Sequence, residues 1–168
     1  MTQINQHIAS VTQRIIKRSA DLRAGYLVQI AEDHNNRPER GKLSCGNLAH
    51  GFAACEAGDK ESLRMMEAAN MAIVTSYNDM LSAHQPYAEY PDLIKRAMRG
   101  IGCTAQVAGG VPAMCDGVTQ GQDGMELSLL SRDIIAQCTA ISLSHQMFDG
   151  VLALGICDKI VPGLLIGV

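Results

Sequence analysis

Three short apolar runs, separated by helical patterns, are the feature that most constrains the fold of this chain. The runs are residues 71–76 (MAIVTS), 103–109 (CTAQVAG) and 150–156 (GVLALGI), and each has the length and the β-branched or small apolar residues of a buried strand. Helical patterns lie between them at residues 90–100 and 125–146. This alternation predicts an α/β fold in which a parallel sheet is flanked by helices.

The residues before the first run predict a helical segment followed by a polar linker. Apolar residues recur at helical spacing over residues 9–31, with Ser10 as the expected N-cap, and residues 32–42 are polar with Pro and Gly. We therefore divide the chain into an N-terminal helix with its linker, residues 1–42, and an α/β domain, residues 43–168.

Two of the helical patterns need separate comment. Residues 60–70 are typical of a short helix, whereas the preceding stretch SCGNLAHGFAACEAGDK is rich in Gly and Ala and favours no particular element. The pattern at residues 125–146 is apolar almost all round, so this helix is predicted to be well buried.

Composition argues against several classes of protein. The formal net charge of −3 provides neither the basic patch of a nucleic-acid-binding protein nor a polybasic membrane anchor. The polar N-terminus is unlike a secretory signal, and no stretch approaches the roughly 20 apolar residues of a membrane span. The six cysteines form no C-x-x-C pair, which disfavours a zinc ribbon or a thioredoxin-like site. We expect a cytoplasmic protein with reduced cysteines and with neither a nucleic-acid nor a membrane partner.

Polar and ionisable side chains follow each predicted strand. Crossover helices place all strand-to-helix loops of a parallel sheet at one edge, where α/β proteins bind ligands. The three loops are residues 76–87, 109–124 and 157–163. The side chains gathered at this edge are Asn78, Asp79, His84, Cys115, Asp116, Asp123, Cys157, Asp158 and Lys159. Carboxylates suit Mg²⁺, and thiolates suit iron–sulfur or zinc, so the edge is a candidate metal site.

Each of these residues also has a simpler interpretation. Cys157 follows a buried strand and could be a core residue. Asp158 could cap the next helix, and Lys159 and His84 could be exposed loop residues. Asp116 precedes Gly117 and could only form a turn. Local chemistry leaves these alternatives open.

The stretch CDKIVPGLLIG, residues 157–167, resembles the signature of the family that joins dihydroxy-acid and sugar-acid dehydratases. That signature is Cys-Asp-Lys, two residues, Pro-Gly, and a small residue four positions further on. Residues 44–55, 74–87 and 106–133 are similar to the branch of this family that acts on a phosphorylated sugar acid. The resemblance extends from about residue 8 to the end of the chain.

The resemblance implies dehydration of 6-phospho-D-gluconate to 2-dehydro-3-deoxy-6-phospho-D-gluconate, a step of the Entner–Doudoroff pathway. The C2 proton leaves, followed by the C3 hydroxyl. Hydroxide is a poor leaving group, so an iron–sulfur cluster acting as a Lewis acid suits the reaction. The enediolate that develops needs nearby positive charge, which Mg²⁺ can supply, and a base completes the chemistry. The implied partner is a small sugar-acid phosphate, and the implied assembly is a homodimer.

The resemblance also assigns roles to individual residues. Cys157 matches a ligand of the iron–sulfur cluster, and Asp158 and Asp116 match aspartates that bind Mg²⁺. Lys159 matches a lysine that is carbamylated in relatives, so it is expected to be both a metal ligand and the catalytic residue of this segment.

One loop departs from the family pattern. Dihydroxy-acid dehydratases carry Pro-Cys-Asn where this chain reads Ser-Ala-His, ending at His84, so the cluster cysteine of that loop is missing. The departure favours a [4Fe–4S] over a [2Fe–2S] cluster, with Cys45 and Cys115 as candidates for a further ligand. Asn78, Asp79 and His84 are the candidates for the substrate side of the site.

Family members are several times longer than 168 residues. The chain is therefore expected to be a partial N-terminal domain of a larger enzyme, incomplete at its C-terminus and inactive alone. Turnover of 6-phosphogluconate by the isolated chain would contradict this. The alternatives are another sugar-acid or dihydroxy-acid substrate, a non-catalytic truncated metal-binding module, or a structural α/β domain with buried cysteines.

Overall fold

A computed structural model describes residues 4–35, 39–66 and 68–168. The chain divides into two compact units, Met1–Arg37 and Pro38–Val168. No helix in the described ranges combines the length and the apolar character that crossing a membrane requires.

The first unit consists of one long helix, α1 (Gln6–Asn35), in which no residue is buried. The helix begins before the predicted N-cap Ser10, because the side chain of Asn5 accepts a hydrogen bond from the His7 N–H at 2.8 Å. Ser10 therefore lies inside the helix, and that prediction is wrong. Helix α1 also continues into the predicted linker, of which residues 36–38 lie outside the described residues.

The second unit contains a three-stranded parallel sheet with helices around it, which confirms the predicted α/β fold. Its helices and strands are, in chain order, α2 (Cys45–Phe52), α3 (Ala57–Arg64), β1 (Asn70–Thr75), α4 (Tyr90–Gly100), β2 (Thr104–Gly110), α5 (Asp116–Thr119), α6 (Ser128–Leu143), β3 (Gly150–Leu154) and α7 (Ile160–Gly167). The strand order is β2-β1-β3.

The carboxyl ends of the three strands meet at one edge, as predicted. The Ser76 N–H, just after β1, donates to the Leu154 carbonyl at the end of β3 at 2.9 Å. The Val111 N–H, just after β2, donates to the Thr75 carbonyl at the same distance of 2.9 Å. These bonds hold the three strand-to-helix loops side by side.

The core of this unit lies where the sheet meets α6 and α7. Its fully or nearly fully buried apolar residues are Val74, Val111, Ile135, Ile160 and Leu164. Helix α6 begins at Ser128, after a short 3-10 turn, and its burial is one-sided, since Leu129 and Ile141 are 70% and 67% exposed. The prediction that this helix is well buried is wrong, because α7 and the sheet cover only the face of α6 that carries Ile135.

Helices α6 and α7 approach so closely that only glycine fits between them at two positions. A Cβ on Gly163 would lie 2.8 Å from the Arg132 carbonyl oxygen. A Cβ on Gly167 would lie 2.6 Å from the Thr139 Cβ and would also collide with the Ala136 carbonyl. The small residues of the signature therefore permit the contact between these two helices.

A buried arginine closes the opposite, amino edge of the sheet. The Arg40 guanidinium, 9% exposed, forms an ion pair with Asp149 and donates to the Met147 and Ala68 carbonyls at 3.1 and 2.7 Å. Asp149 also accepts a hydrogen bond from the Asn70 N–H at 2.7 Å, at the first residue of β1. Arg40, near the start of the second unit, thus links the beginning of this unit to the sheet.

Replacing Asp149 by alanine should destabilise the protein by about 2 kcal/mol, because it leaves the buried Arg40 charge without its counterion. The value lies below that of a fully buried pair because the Asp149 side chain is 40% exposed. Urea denaturation of Asp149→Ala, Arg40→Met and the double variant provides the measurement. The double variant should be less destabilised than the sum of the single variants, and simple additivity would contradict the ion pair's role.

Candidate functional site

Cys157 lies in the loop after β3 and has an exposed side chain and an uncommon backbone conformation. Its φ of 87° is positive, a region that costs a residue with a Cβ about 1–2 kcal/mol. Strain of this kind persists where the surrounding structure enforces it, often at functional sites. The alternative of a buried core cysteine is therefore wrong for Cys157.

The strain itself can be measured by comparing two substitutions that both remove the sulfur. Cys157→Gly should be more stable than Cys157→Ala by about 1 kcal/mol, because glycine adopts a positive φ without steric cost. Urea denaturation of the two variants gives this difference directly. Equal stability would show that the backbone at this position is relaxed.

His84 lies on the buried side of Cys157 and is itself only 1% exposed. Its Nδ1 lies 3.0 Å from both the carbonyl oxygen and the Oγ of Ser76, and its Nε2 lies 3.7 Å from the Cys157 sulfur. The ring of Tyr87 packs edge-on against the imidazole. The alternative of an exposed loop histidine is wrong.

Lys159, Asp116 and Asp158 form a charged group beside the cysteine. The Lys159 ammonium donates to Asp116 Oδ2 and lies 3.4 Å from a carboxylate oxygen of Asp158. The other oxygen of Asp116 accepts a hydrogen bond from the Ser128 hydroxyl at 2.7 Å. The Lys159 side chain is only 17% exposed, so the alternative of an exposed loop lysine is wrong. The Asp158 side chain, in contrast, is 79% exposed. Helix α7 has no side-chain cap, so the capping role considered for Asp158 is not observed.

These contacts determine the protonation of the pair. The hydrogen bond to Asp116 raises the pKa of Lys159, and the hydrogen bonds from Lys159 and Ser128 lower the pKa of Asp116. Both shifts favour an ammonium facing a carboxylate at neutral pH. Since a carbamate forms only from a neutral amine, the ion pair must open before Lys159 can be modified in this way.

The Cys157 thiol is held in its protonated form by its surroundings. Partial desolvation raises its pKa, and the negative charges of Cys115, Asp158 and Asp116 raise it further, against a smaller lowering by Lys159. A thiolate at this position therefore needs additional positive charge close to the sulfur. Metal binding is one source of such charge, and it requires the thiolate.

The two other candidates for the substrate side lie in the loop after β1 and are engaged locally. The side chain of Asn78 accepts a hydrogen bond from the Met80 N–H at 2.8 Å, and the exposed Asp79 lies 3.4 Å from the Tyr77 hydroxyl. In the described part of the chain, neither forms a hydrogen bond or ion pair with Cys157 or Lys159. Their contact with a substrate stays a prediction.

Three residues that position the site escaped the sequence analysis. Ser76 fixes His84, Tyr87 packs against it, and Ser128 holds Asp116. Ser76 is the last residue of the first apolar run and directly follows β1, and this position is the one signal that could have identified it. Ser128 is separated from Asp116 by a turn, and no sequence spacing indicates their contact.

The donor atoms present fit part of a metal site. The exposed Cys157 sulfur suits one thiolate ligand of an iron–sulfur cluster, and the oxygens of Asp116 and Asp158 suit Mg²⁺. No group of three or more His, Cys, Asp or Glu side chains within residues 4–35, 39–66 and 68–168 is arranged to hold a metal ion by itself. Cys45, the other candidate considered with Cys115, is exposed at the start of α2.

Comparisons with known proteins identify the family to which the sequence is similar. Residues 68–168 match the family model described as dihydroxy-acid/6-phosphogluconate dehydratase, N-terminal. The chain is 61% identical over 161 residues to phosphogluconate dehydratase of Escherichia coli (strain K12). The aligned residues make up 96% of this chain and 27% of that protein. It is 58% identical over 167 residues to phosphogluconate dehydratase of Zymomonas mobilis, covering 99% and 27%.

A more distant relative comes from the other branch of the family. The dihydroxy-acid dehydratase of Akkermansia muciniphila is 38% identical over 97 residues, covering 58% of this chain and 17% of that protein. The chain thus spans about a quarter of the length of the phosphogluconate dehydratases that it matches, 27% in the two cases above.

Proposed function

The chain belongs to the dihydroxy-acid/6-phosphogluconate dehydratase family, and on that premise we propose that the full-length protein converts 6-phospho-D-gluconate to 2-dehydro-3-deoxy-6-phospho-D-gluconate. This is a dehydration of the Entner–Doudoroff pathway. The observation that carries the proposal is the grouping of Cys157, Asp158 and Lys159 with Asp116 at one edge of the sheet. Identity of 58–61% over almost the whole chain supports the phosphorylated sugar acid over a dihydroxy acid.

The proposed cofactors are an iron–sulfur cluster and Mg²⁺. When bound, the cluster would supply a Lewis acid for the C3 hydroxyl, and Mg²⁺ would supply positive charge for the substrate carboxylate. Cys157 is the proposed cluster ligand, and Asp116, Asp158 and Lys159 are the proposed residues of the Mg²⁺ side. We favour [4Fe–4S] over [2Fe–2S], because the loop between residues 76 and 87 contains no cysteine.

The chain's own contacts prepare these residues for binding. Ser128 fixes one oxygen of Asp116, so its carboxylate plane is set before any ligand arrives. Lys159 stabilises the ionised form of the same carboxylate, as the lowered pKa of Asp116 indicates. Asp158 lies next to them, 3.4 Å from the Lys159 ammonium, and its side chain is 79% exposed and so accessible to a ligand. We propose that Lys159 acts in catalysis from this position.

Location and assembly are further parts of the proposal. A cytoplasmic protein is supported by the six free cysteines, because a reducing compartment keeps thiols unpaired. The proposed assembly is a homodimer, which size-exclusion chromatography with light scattering checks directly.

An assay of the anaerobically purified full-length protein tests this function. We expect kcat/KM for 6-phospho-D-gluconate to exceed that for 2,3-dihydroxyisovalerate by at least about 100-fold, since a site built around a phosphate and hydroxyls rejects a substrate that lacks them. A preference for the dihydroxy acid would assign the other branch. Lack of turnover together with lack of bound iron would instead identify a non-catalytic module.

A further inference from the structure

We propose that His84 is a positioning residue. Its imidazole contacts the Cys157 sulfur on the buried side and so fixes the direction in which the sulfur is presented to the group that it binds. The inference rests on the proposed function only for the identity of the group that the sulfur binds. The contact itself, Nε2 to Sγ at 3.7 Å, belongs to the chain.

His84 is buried between two exposed neighbours. Its neighbours on both sides, Ala83 and Gln85, are exposed, whereas the imidazole is 1% exposed. A buried imidazole costs free energy unless its polar atoms are satisfied, so its two ring nitrogens must have specific partners. One partner is at the end of β1 and the other is in the loop after β3.

The hydrogen bonds define the tautomer of the ring. The Ser76 hydroxyl donates to the Leu154 carbonyl at 2.8 Å, so its oxygen is an acceptor towards His84. The Ser76 carbonyl can only accept, and it lies 3.0 Å from Nδ1. Both contacts therefore place the hydrogen on Nδ1, and the neutral ring directs the lone pair of Nε2 towards the Cys157 thiol.

Relative exposure distinguishes positioning from direct metal ligation. Cys157 is exposed at the open edge of the site, whereas His84 is covered. The imidazole thus lies on the protein side of the sulfur and presents almost no surface to solvent. Partners of this kind orient a ligand that binds the metal, and their loss typically costs metal affinity about 10–100-fold.

Two conservative variants separate the roles of the two ring nitrogens. In His84→Asn the side-chain amide reaches only as far as Nδ1, so it keeps the bonds to Ser76 and loses the contact with Cys157. In His84→Gln the amide reaches as far as Nε2, so it keeps the contact with Cys157 and loses the anchor. The matched control is His145, whose Nδ1 lies 3.0 Å from the Ser142 carbonyl, replaced by the same two residues.

The first readout is the rate at which a chelator removes the visible absorbance of the cluster from the full-length protein under anaerobic conditions. We expect His84→Asn to lose it about tenfold faster than wild type, His84→Gln to stay within about twofold, and both His145 variants to match wild type. The reverse order of the two His84 variants would show an anchoring role in the loop and would overturn the proposal. Strong nitrogen hyperfine coupling to the cluster in pulsed electron paramagnetic resonance would also overturn it, because His84 would then be a ligand.

The second readout uses the cluster-free full-length protein and does not depend on the proposed reaction. Iodoacetamide labelling of Cys157, mapped by mass spectrometry, should be about threefold slower in His84→Asn and near wild type in His84→Gln, because only the first loses the acceptor beside the thiol. Wild-type labelling in a folded His84→Asn variant would overturn the inference, even if His84→Gln fails to fold. A wild-type protein without any cluster would refute the proposed function while this labelling still decides the role of His84.

Discussion

Cys157→Ser should remove the cluster and abolish dehydration by the full-length protein. Serine keeps the size and the polarity of the side chain but replaces the thiolate that iron prefers by a weakly acidic hydroxyl. Loss of a Lewis acid costs several kcal/mol of transition-state stabilisation, so kcat/KM should fall about a thousandfold or more. Iron analysis, visible absorbance and the rate of 2-keto acid formation measure the outcome.

The control for this substitution is Cys103→Ser, the same chemical change at the opposite edge of the sheet. Cys103 is half-buried just before β2, and its sulfur lies 3.9 Å from the Ile101 carbonyl. This variant should keep its iron and its activity. Retention of the cluster by Cys157→Ser, or equal losses in the two variants, would contradict the role assigned to Cys157.

Gly167→Ala should be among the most destabilising single-methyl additions in the chain. The new Cβ would lie against the Ala136 carbonyl and 2.6 Å from the Thr139 Cβ, so α7 must move away from α6. Overpacking against backbone costs about 2–3 kcal/mol, which outweighs the gain of about 1 kcal/mol in helix propensity. Gly163→Ala should behave similarly, because its Cβ would lie 2.8 Å from the Arg132 carbonyl oxygen.

Gly46→Ala in α2 is the matched control, because no atom lies within 4 Å of the position that its Cβ would take. It should be neutral or slightly stabilising, through helix propensity and a less flexible unfolded state. Urea denaturation of the three variants provides the comparison. A Gly167→Ala variant as stable as Gly46→Ala would show that the close contact of α6 and α7 is not maintained in solution.

The architecture was largely predictable because strands and helices have different hydrophobic periods. The apolar runs at residues 71–76, 103–109 and 150–156 became the strands Asn70–Thr75, Thr104–Gly110 and Gly150–Leu154. The stretch around residues 44–55 was not predictable in the same way. Its Gly and Ala residues favour no element, and the start of helix α2 is marked by the Ser44 side chain, which accepts a hydrogen bond from the Asn47 N–H at 3.2 Å.

The location of the candidate site at one edge of the sheet was predictable from the sequence, but the contacts within the site were not. Parallel topology alone indicates that the loops containing His84, Asp116 and Cys157 meet. It does not indicate that the imidazole is buried, since that depends on the two acceptors of Ser76. Nor does it reveal the positive φ of Cys157, because cysteine is not a residue that sequence rules associate with this conformation.

Helix α6 determines the spacing between the Asp116 carboxylate and the Lys159 ammonium. Ser128 at its first residue holds Asp116, and the middle of the same helix seats α7, which begins directly after Lys159. The distance between the carboxylate and the ammonium is therefore set by one rigid element rather than by the chain that joins them. It follows that residues 120–124, which lie in the connection between Asp116 and Ser128, could change in length without separating the pair.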